Sequence, residues 1–322
     1  MRSIVVTEAG GPDVLALVEV DEGEPGPGQV LVDVAAAGVN YIDTYHRGGL
    51  YDMPMPFTPG LEGAGTVTAT GDGVTRWQVG DRVAWPRSIG SYAERVVLGA
   101  EEIVAVPDGV SLETAAAGML QGMTAHFLTH DTFPLSSDNR CLVHAGAGGV
   151  GLLAIQMAKV QGAEVFTTVG SQDKAELARD AGADHVIRYR DVDFVAAIEG
   201  IAGPRPLDVV YDGVGAATFD GGLRLLRRRG MMVTFGNASG PVEPISPLVL
   251  SRNGSLYMTR PTLFDHIATR EELEHRAEVL FGLISHDRLT VRVGHRFPLA
   301  DAEAAHRALE GRETTGKILL LP

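Results

Sequence analysis

The sequence predicts an α/β protein, a doubly wound parallel sheet joined to a smaller β-rich domain. Three observations carry that expectation. The first third of the 322 residues alternates short apolar runs with Gly and Pro clusters, the punctuation of a barrel or sandwich. From Ser111 onward strand and helix patterns alternate, which implies βαβ units. A glycine-rich turn falls between a strand and a helix early in that alternation.

In the β-rich part, the Gly/Pro cluster at 23–28 precedes a strand at 30–35. Pro54, Pro56 and Pro59-Gly60 precede a second strand at 63–70, Asp72-Gly73 marks a turn, and Gly80-Asp81 leads into a strand at 82–85. Residues 111–130, rich in Ala, Leu and Met, read as a helix with Ser111 as N-cap. Strands are expected at 141–145, 164–169, 185–189, 208–211, 231–235 and 255–258. Helices separate most of them, the first at 149–161. A helix at 271–285 then carries Leu273, Ala277, Leu280, Phe281 and Ile284 on one face. A short helix near 300–309 and a strand at 317–321 close the chain.

Composition excludes several classes. A single cysteine rules out an intrachain disulfide and a Cys-rich zinc site. With 27 Lys plus Arg against 41 Asp plus Glu, the net charge is −14. That balance argues against a nucleic-acid backbone as main partner, because such binding depends on cations neutralising phosphates. It leaves room for one small anion in a local basic pocket. The apolar stretch at 150–160 contains Gln156 and Lys159 and falls short of the ~20 residues a membrane span requires. The N-terminus lacks a signal-peptide pattern, so a cytoplasmic protein without membrane partners is expected.

The most specific local motif is Gly146-x-Gly148-x-x-Gly151, after an expected strand and opening an expected helix. Gly146 permits a tight turn, Gly148 lets the backbone approach a pyrophosphate, and Gly151 lets helix pack on strand. The helix N-terminus adds N–H groups and a positive dipole end. An NAD site usually offers an acid about 20 residues further on, for the ribose 2′-hydroxyl. Here the second strand ends in Gly170-Ser171, with Asp173 in the next helix's first turn beside Lys174. Ser171 offers a hydrogen bond, Lys174 a charge, and the next strand ends at Tyr189-Arg190, bordering the same pocket. A missing acid and a gained cation favour NADPH.

Other motifs carry less. His126 and His130 have the i, i+4 spacing of metal ligands, but no third ligand accompanies them, so packing is the better reading. Cys141 reads as a small buried hydrophobe, and no Gly-x-Ser-x-Gly elbow is present. Arg224, Arg227, Arg228 and Arg229 are expected at a helix end before Gly230, where cations complement the dipole.

Further segments carry a family likeness. They are 37–45 (with Asn40-Tyr41-Ile42-Asp43-Thr44-Tyr45), 49–51, 59–65, 211–215, 235–240 and 254–261. All resemble the zeta-crystallin-like quinone oxidoreductases, zinc-independent medium-chain dehydrogenases/reductases. The last two, with 269–273, are similar to the bacterial-type NADPH:quinone reductase branch. The resemblance spans essentially the whole chain. It implies a Rossmann NADPH-binding domain at 126–261 and a GroES-like catalytic domain at 1–125 and 262–322. It implies a homodimer formed near 254–259.

Residue roles follow from the same resemblance. Asn40, Asp43, Tyr45 and Tyr51 would border the substrate, and Tyr41, Ile42 and Thr44 would lie beside the nicotinamide. Thr124 would bond the cofactor, and Gly148, Gly149, Val150 and Gly151 would hold the pyrophosphate. Gly170, Ser171, Lys174 and Tyr189 would meet the 2′-phosphate. Val214, Phe235, Gly236, Asn237, Met258 and Thr259 would line the nicotinamide end, and Arg312 would contact cofactor. Where zinc-dependent relatives place Cys and His ligands, this chain has Asn40 and Leu61; no metal is expected. The chemistry implied is hydride transfer from NADPH to a quinone. The alternatives are an enone or alkenal double-bond reductase and, outside enzymes, a crystallin-like or RNA-binding protein.

Overall fold

The computed structural model describes residues 1–322. The first half of the chain forms β1 (Arg2–Val5), β2 (Ala16–Glu19), β3 (Gln29–Val39), α1 (Tyr41–Arg47), β4 (Glu62–Thr70), β5 (Arg82–Trp85), β6 (Arg95–Gly99), β7 (Val104–Ala105) and α2 (Leu112–Phe127). There follow β8 (Arg140–Val143), α3 (Gly149–Val160), β9 (Glu164–Val169), α4 (Gln172–Asp180), β10 (His185–Arg188), α5 (Phe194–Ala202), β11 (Leu207–Asp212), α6 (Phe219–Leu225), β12 (Leu226–Thr234), α7 (Leu248–Arg252) and β13 (Tyr257–Thr259). The C-terminal part adds α8 (Arg270–Ser285), β14 (Val293–Pro298), α9 (Ala302–Glu310) and β15 (Lys317–Leu321). No helix is long and apolar enough to cross a membrane.

The chain divides into two compact units. The first comprises Met1–Met123 and Ile267–Pro322, and the second Thr124–His266. In the first unit a seven-stranded sheet runs β14-β15-β3-β4-β5-β7, with β6 also pairing β3. Strand β3 is long because its alternation of Val30, Val32 and Val34 buries one face. Irregularities in its pairing with β4, between Leu31 and Val32 and between Val34 and Ala36, bend it. Its start then pairs with β6 and its end with β15. Val30, Val32, Val67, Trp85, Leu98, Ile318 and Leu320 form the core of this unit.

The second unit is a six-stranded sheet in the order β10-β9-β8-β11-β12-β13, every pair parallel. Sequence order reverses between β8 and β11, and ligands of such sheets collect at the carboxyl ends beside that reversal. The strands are apolar almost throughout, as strands covered by helices on both faces must be. Leu142, Phe166, Val210, Leu226 and Met232 lie in this core.

One local expectation is corrected. Arg227, Arg228 and Arg229 are not at a helix end: α6 stops at Leu225, and they lie in β12. The pairing of β11 with β12 jumps from Leu207–Leu226 to Val209–Met231, so extra residues bulge outward there. Arg228 and Arg229 are exposed, and Arg229 takes φ of 58°. Arg227 pairs with Asp208 at 2.5 Å. Tertiary strand pairing overrides the helical reading. Ser111, by contrast, caps α2 as expected, its Oγ accepting from Thr114 N at 3.0 Å.

The turn after β8 shows why glycine is needed where α3 meets the sheet. A Cβ on Gly151 would lie 2.4 Å from Ala145 O and 2.9 Å from Gly146 Cα, backbone atoms with no room to yield. Gly151→Ala is therefore expected to destabilise the protein by roughly 1–3 kcal/mol in urea titration. Gly200→Ala, within α5 and facing open space, should instead raise stability by about 0.5–1 kcal/mol.

Candidate active site

In the second unit, the expected cofactor residues other than Thr124 gather along one edge of the sheet because they lie at or just beyond the ends of parallel strands. After β8, Ala145 takes φ of 55° and turns the chain into α3. Gly146 N donates to Thr168 O at 3.1 Å, and Gly148 N to Ala145 O at 2.9 Å. Gly148 is the N-cap of the 12-residue helix α3 and has no side chain to satisfy the helix's first N–H groups. Gly148, Gly149 and Val150 are partly open to solvent, so those N–H groups and the dipole face outward and suit an anion.

After β9, Ser171 caps α4, its side chain accepting from Lys174 N. Gly170 is overhung by the next strand's end: a Cβ there would lie 2.9 Å from Tyr189 Oη and 3.5 Å from Arg190 Nε. The structure thus brings Gly170, Ser171, Lys174 and Tyr189 together, with Arg190 beside them. After β11, buried Asp212 accepts from Val214 N at 2.7 Å and Gly215 N at 3.0 Å. After β12, the Asn237 carboxamide lies within hydrogen-bond reach of Gly236 O, at 3.0 Å, and of the Arg260 guanidinium, at 3.1 Å. Phe235 follows Thr234, the last residue of β12, and Met258 and Thr259 lie in β13. Thr124 is buried and is the first residue of this unit.

In the first unit, three neighbouring strands bring charge into the interior. Glu62 opens β4 and Lys317 opens β15, on either side of β3. Their side chains meet over Gly38 of β3, where a Cβ would come within 2.4 Å of Glu62 Oε1 and 2.6 Å of Lys317 Cε. Lys317 Nζ donates to Glu62 Oε1, and the two residues are 1% and 0% exposed. Burial pulls the Lys317 ammonium below the usual lysine range, and Glu62 opposes that pull.

Asn40, just beyond β3, lies in this pair's grip. Its Nδ2 donates to Glu62 Oε1 at 2.6 Å, while its Oδ1 accepts from Lys317 Nζ at 2.8 Å and from Gln121 Nε2 at 3.1 Å. Glu62 Oε2 accepts from Leu120 N at 2.7 Å. Asn40 is also the N-cap of α1; its N donates to Asp43 Oδ2 at 2.8 Å, and its backbone O accepts from Asp43 N at 3.1 Å.

A buried hydrogen-bond chain ends at Asp43. Arg47, always a donor, lies 3.0 Å from His306 Nδ1, so that nitrogen accepts. Neutral His306 then carries its proton on Nε2, 3.1 Å from Tyr92 Oη. Tyr92 donates to Asp43 Oδ2 at 3.1 Å. Every donor in the chain thus points toward Asp43, yet its Oδ1 is buried without a partner. Burial raises the Asp43 carboxyl to about 7, against donors that lower it. Burial, with Arg47 nearby, holds His306 down at about 3.

Around Tyr45 the side chains form an aromatic wall. Tyr45 meets Tyr51 edge-on at 5.5 Å and Tyr41 at 6.4 Å. Tyr51 is 38% exposed. Tyr41 Oη donates to Leu309 O at 3.0 Å, tying α1 to α9. Arg312 follows α9 in a turn with φ of 58°. Ile42 is half-buried and Thr44 buried. His126 and His130 stack on each other at 4.1 Å, and no group of three His, Cys, Asp or Glu side chains is arranged to hold a metal ion.

Sequence reasoning missed Glu62, Lys317, Gln121, Tyr92 and His306. The available signal was a charge flanking an apolar strand: Lys317 precedes Ile318-Leu319-Leu320-Leu321. Such a lysine ordinarily sits at a solvated strand end.

A parallel six-stranded sheet with a glycine-rich first loop, carried between the two parts of a β-rich unit, defines a dehydrogenase/reductase architecture. Residues 26–131 match the alcohol dehydrogenase GroES-like domain family, and 149–277 the zinc-binding dehydrogenase family. The chain is 45% identical over 315 residues to a quinone oxidoreductase of Pseudomonas aeruginosa, covering 97% of each. It is 39% identical to a 2-haloacrylate reductase of a Burkholderia species, covering 100% of this chain and 99% of that protein. The crystal structure of Escherichia coli quinone oxidoreductase complexed with NADPH superposes with a TM-score of 0.98 at 42% identity, covering 100% of both chains. The chain belongs to the quinone oxidoreductase family of the medium-chain dehydrogenases/reductases.

The two titrating groups beside Tyr92 act on stability in opposite directions. Asp43 has an ordinary value of 3.8 and keeps its proton to about 7 when folded. Between those values the folded state binds more protons, so its contribution falls as pH rises and levels off above about 7. His306, ordinarily 6.5, resists protonation down to about 3 when folded; its contribution is lost as pH falls through that interval. Asp43→Asn removes only the first effect. Thermal melts should show the stability of the native protein relative to this variant declining from about pH 4 to about pH 7, then holding constant. A pH-independent difference would contradict the assignment.

Proposed function

We propose that the protein is a zinc-independent NADPH:quinone oxidoreductase. The observation that carries this reading is the Asn40 carboxamide, held by a buried ion pair at the head of α1 in a chain 45% identical to a quinone oxidoreductase.

The residues present fit the cofactor. The open N-terminus of α3, with Gly148 lacking any side chain, suits a pyrophosphate. Ser171, Lys174 and Tyr189 around Gly170 suit the 2′-phosphate, and no carboxylate ends β9 to repel it. Val214, Phe235, Gly236, Asn237, Met258 and Thr259 would receive the nicotinamide end, and Thr124, Tyr41, Ile42, Thr44 and Arg312 would complete the contacts. Bound NADPH supplies the hydride.

Asn40 presents N–H, and Tyr45 and Tyr51 present phenols, to the quinone oxygen as negative charge develops there, the role of an oxyanion hole. The aromatic wall fixes the quinone plane, and positioning contributes the rest of the acceleration. The quinol oxyanion is weakly basic and takes its proton from water. A zinc ion is disfavoured by the side chains themselves: Leu61 offers no ligand, and the Lys317 ammonium lies 2.8 Å from Asn40 Oδ1, where it would repel a dication.

A second reading is reduction of an activated alkene, favoured by the 2-haloacrylate reductase relative. Alkene reduction differs from quinone reduction in needing a proton delivered to carbon. Parallel assays with a quinone and an α,β-unsaturated ketone separate the two. We read the protein as a cytoplasmic homodimer that binds no nucleic acid, joined through the free edge of β13, where Tyr257 is 57% exposed.

Asn40→Ala and Tyr45→Phe are expected to lower kcat on 1,4-benzoquinone by about 10- to 100-fold with NADPH affinity unchanged; normal turnover in both would sink the donor role. Lys174→Glu should raise Kd for NADPH at least about tenfold while leaving NADH little changed, measured by cofactor fluorescence titration. Equal effects on the two cofactors would remove the phosphate contact.

A further inference from the structure

We infer that Glu62 and Lys317 are positioning residues for the reduction: they lock the Asn40 carboxamide so that it offers only an N–H donor. The inference rests on the donor role proposed for Asn40 and extends it to two residues assigned no part in the chemistry.

A free carboxamide flips between presenting oxygen and nitrogen, since the two ends have the same shape. Here the flip is forbidden electrostatically. Oδ1 faces the Lys317 ammonium at 2.8 Å and Gln121 Nε2 at 3.1 Å; Nδ2 faces the Glu62 carboxylate at 2.6 Å. Reversing the amide would set N–H against an ammonium and C=O against a carboxylate. Oδ1 is filled by two donors, so Nδ2 alone has capacity left: one hydrogen goes to Glu62, and the other has only a 3.5 Å contact with Gly38 O. An N–H in that state suits a substrate oxygen, the acceptor a quinone or enone carries.

The pair is built for this at a structural cost. Two charges are buried at 1% and 0% exposure, where hydrophobic residues of similar size often serve stability equally well. Their meeting requires Gly38, since any Cβ there would collide with both side chains. Backbone atoms complete the clamp: Glu62 Oε2 is held by Leu120 N. The same helix, α2, brings Gln121 to Asn40. An ion pair serving only to join β4 to β15 would have no need of the carboxamide between its charges and α2.

The test uses the double variant Glu62→Gln/Lys317→Met, which removes both charges together and so leaves no lone buried ion. It is combined with Asn40→Ala in a full cycle, each protein checked by thermal melt and NADPH titration. The double variant is expected to fold, to bind NADPH within about twofold of the parent, and to lose about 10- to 100-fold in kcat on 1,4-benzoquinone with KM little changed. On the Asn40→Ala background the same two changes should cause no further loss, because the group they position is gone. Unchanged kcat in the double variant, or losses that multiply with that of Asn40→Ala, would overturn the positioning role while leaving quinone reduction in place. Full activity in Asn40→Ala would instead remove the donor role and the clamp with it. Gly38→Ala, which wedges a methyl group between the charges without removing either, should reproduce the kcat loss; a stable Gly38→Ala protein with native kcat also counts against the proposal.

Discussion

An ammonium and a carboxylate taken out of water each lose several kcal/mol of hydration, and only close mutual contact with further hydrogen bonds recovers it. Glu62 and Lys317 meet that condition inside the first unit, and much around them follows from it. Gly38 must lack a side chain for the two to touch across β3. Strand β4 must begin, and β15 must begin, at the level where β3 ends. Asn40 then lies against both charges, and its backbone starts α1. One electrostatic requirement thus fixes the register of three strands and the entry of the helix carrying Tyr41, Asp43 and Tyr45.

The neighbouring polar chain shows the same logic with a different outcome. Arg47, His306 and Tyr92 form a directed series of donors ending at Asp43, but Asp43 retains one oxygen without a partner. Desolvation therefore outweighs the donors, and its carboxyl titrates near neutrality. Glu62, by contrast, touches the Lys317 ammonium directly.

In the second unit the controlling constraint is steric. Parallel strands all end at one edge, so the turns that follow them necessarily gather there. Gly151 allows α3 to start against the turn at Ala145, and that start aims unsatisfied N–H groups outward along the same edge. Lys174 and Arg190 bring cations there through their places after β9 and β10.

Much of this was legible from residue order. Hydrophobic period, Gly and Pro punctuation and the Gly146-x-Gly148-x-x-Gly151 spacing depend on local geometry, so they foretold the alternating strands, the parallel sheet and the glycine-rich turn from strand to helix. The likeness in 37–45 and 254–261 pointed to the family. Other features were invisible there. Arg227 to Arg229 read as a helix end until pairing with β11 drew them into a bulged strand. Lys317 stood in the sequence only as the first residue of an expected strand, yet it lies fully buried 255 positions from the glutamate it contacts. A sequence reports what each residue prefers near its neighbours. Which charges are removed from water, and which partner compensates each, is decided only when distant strands are brought side by side.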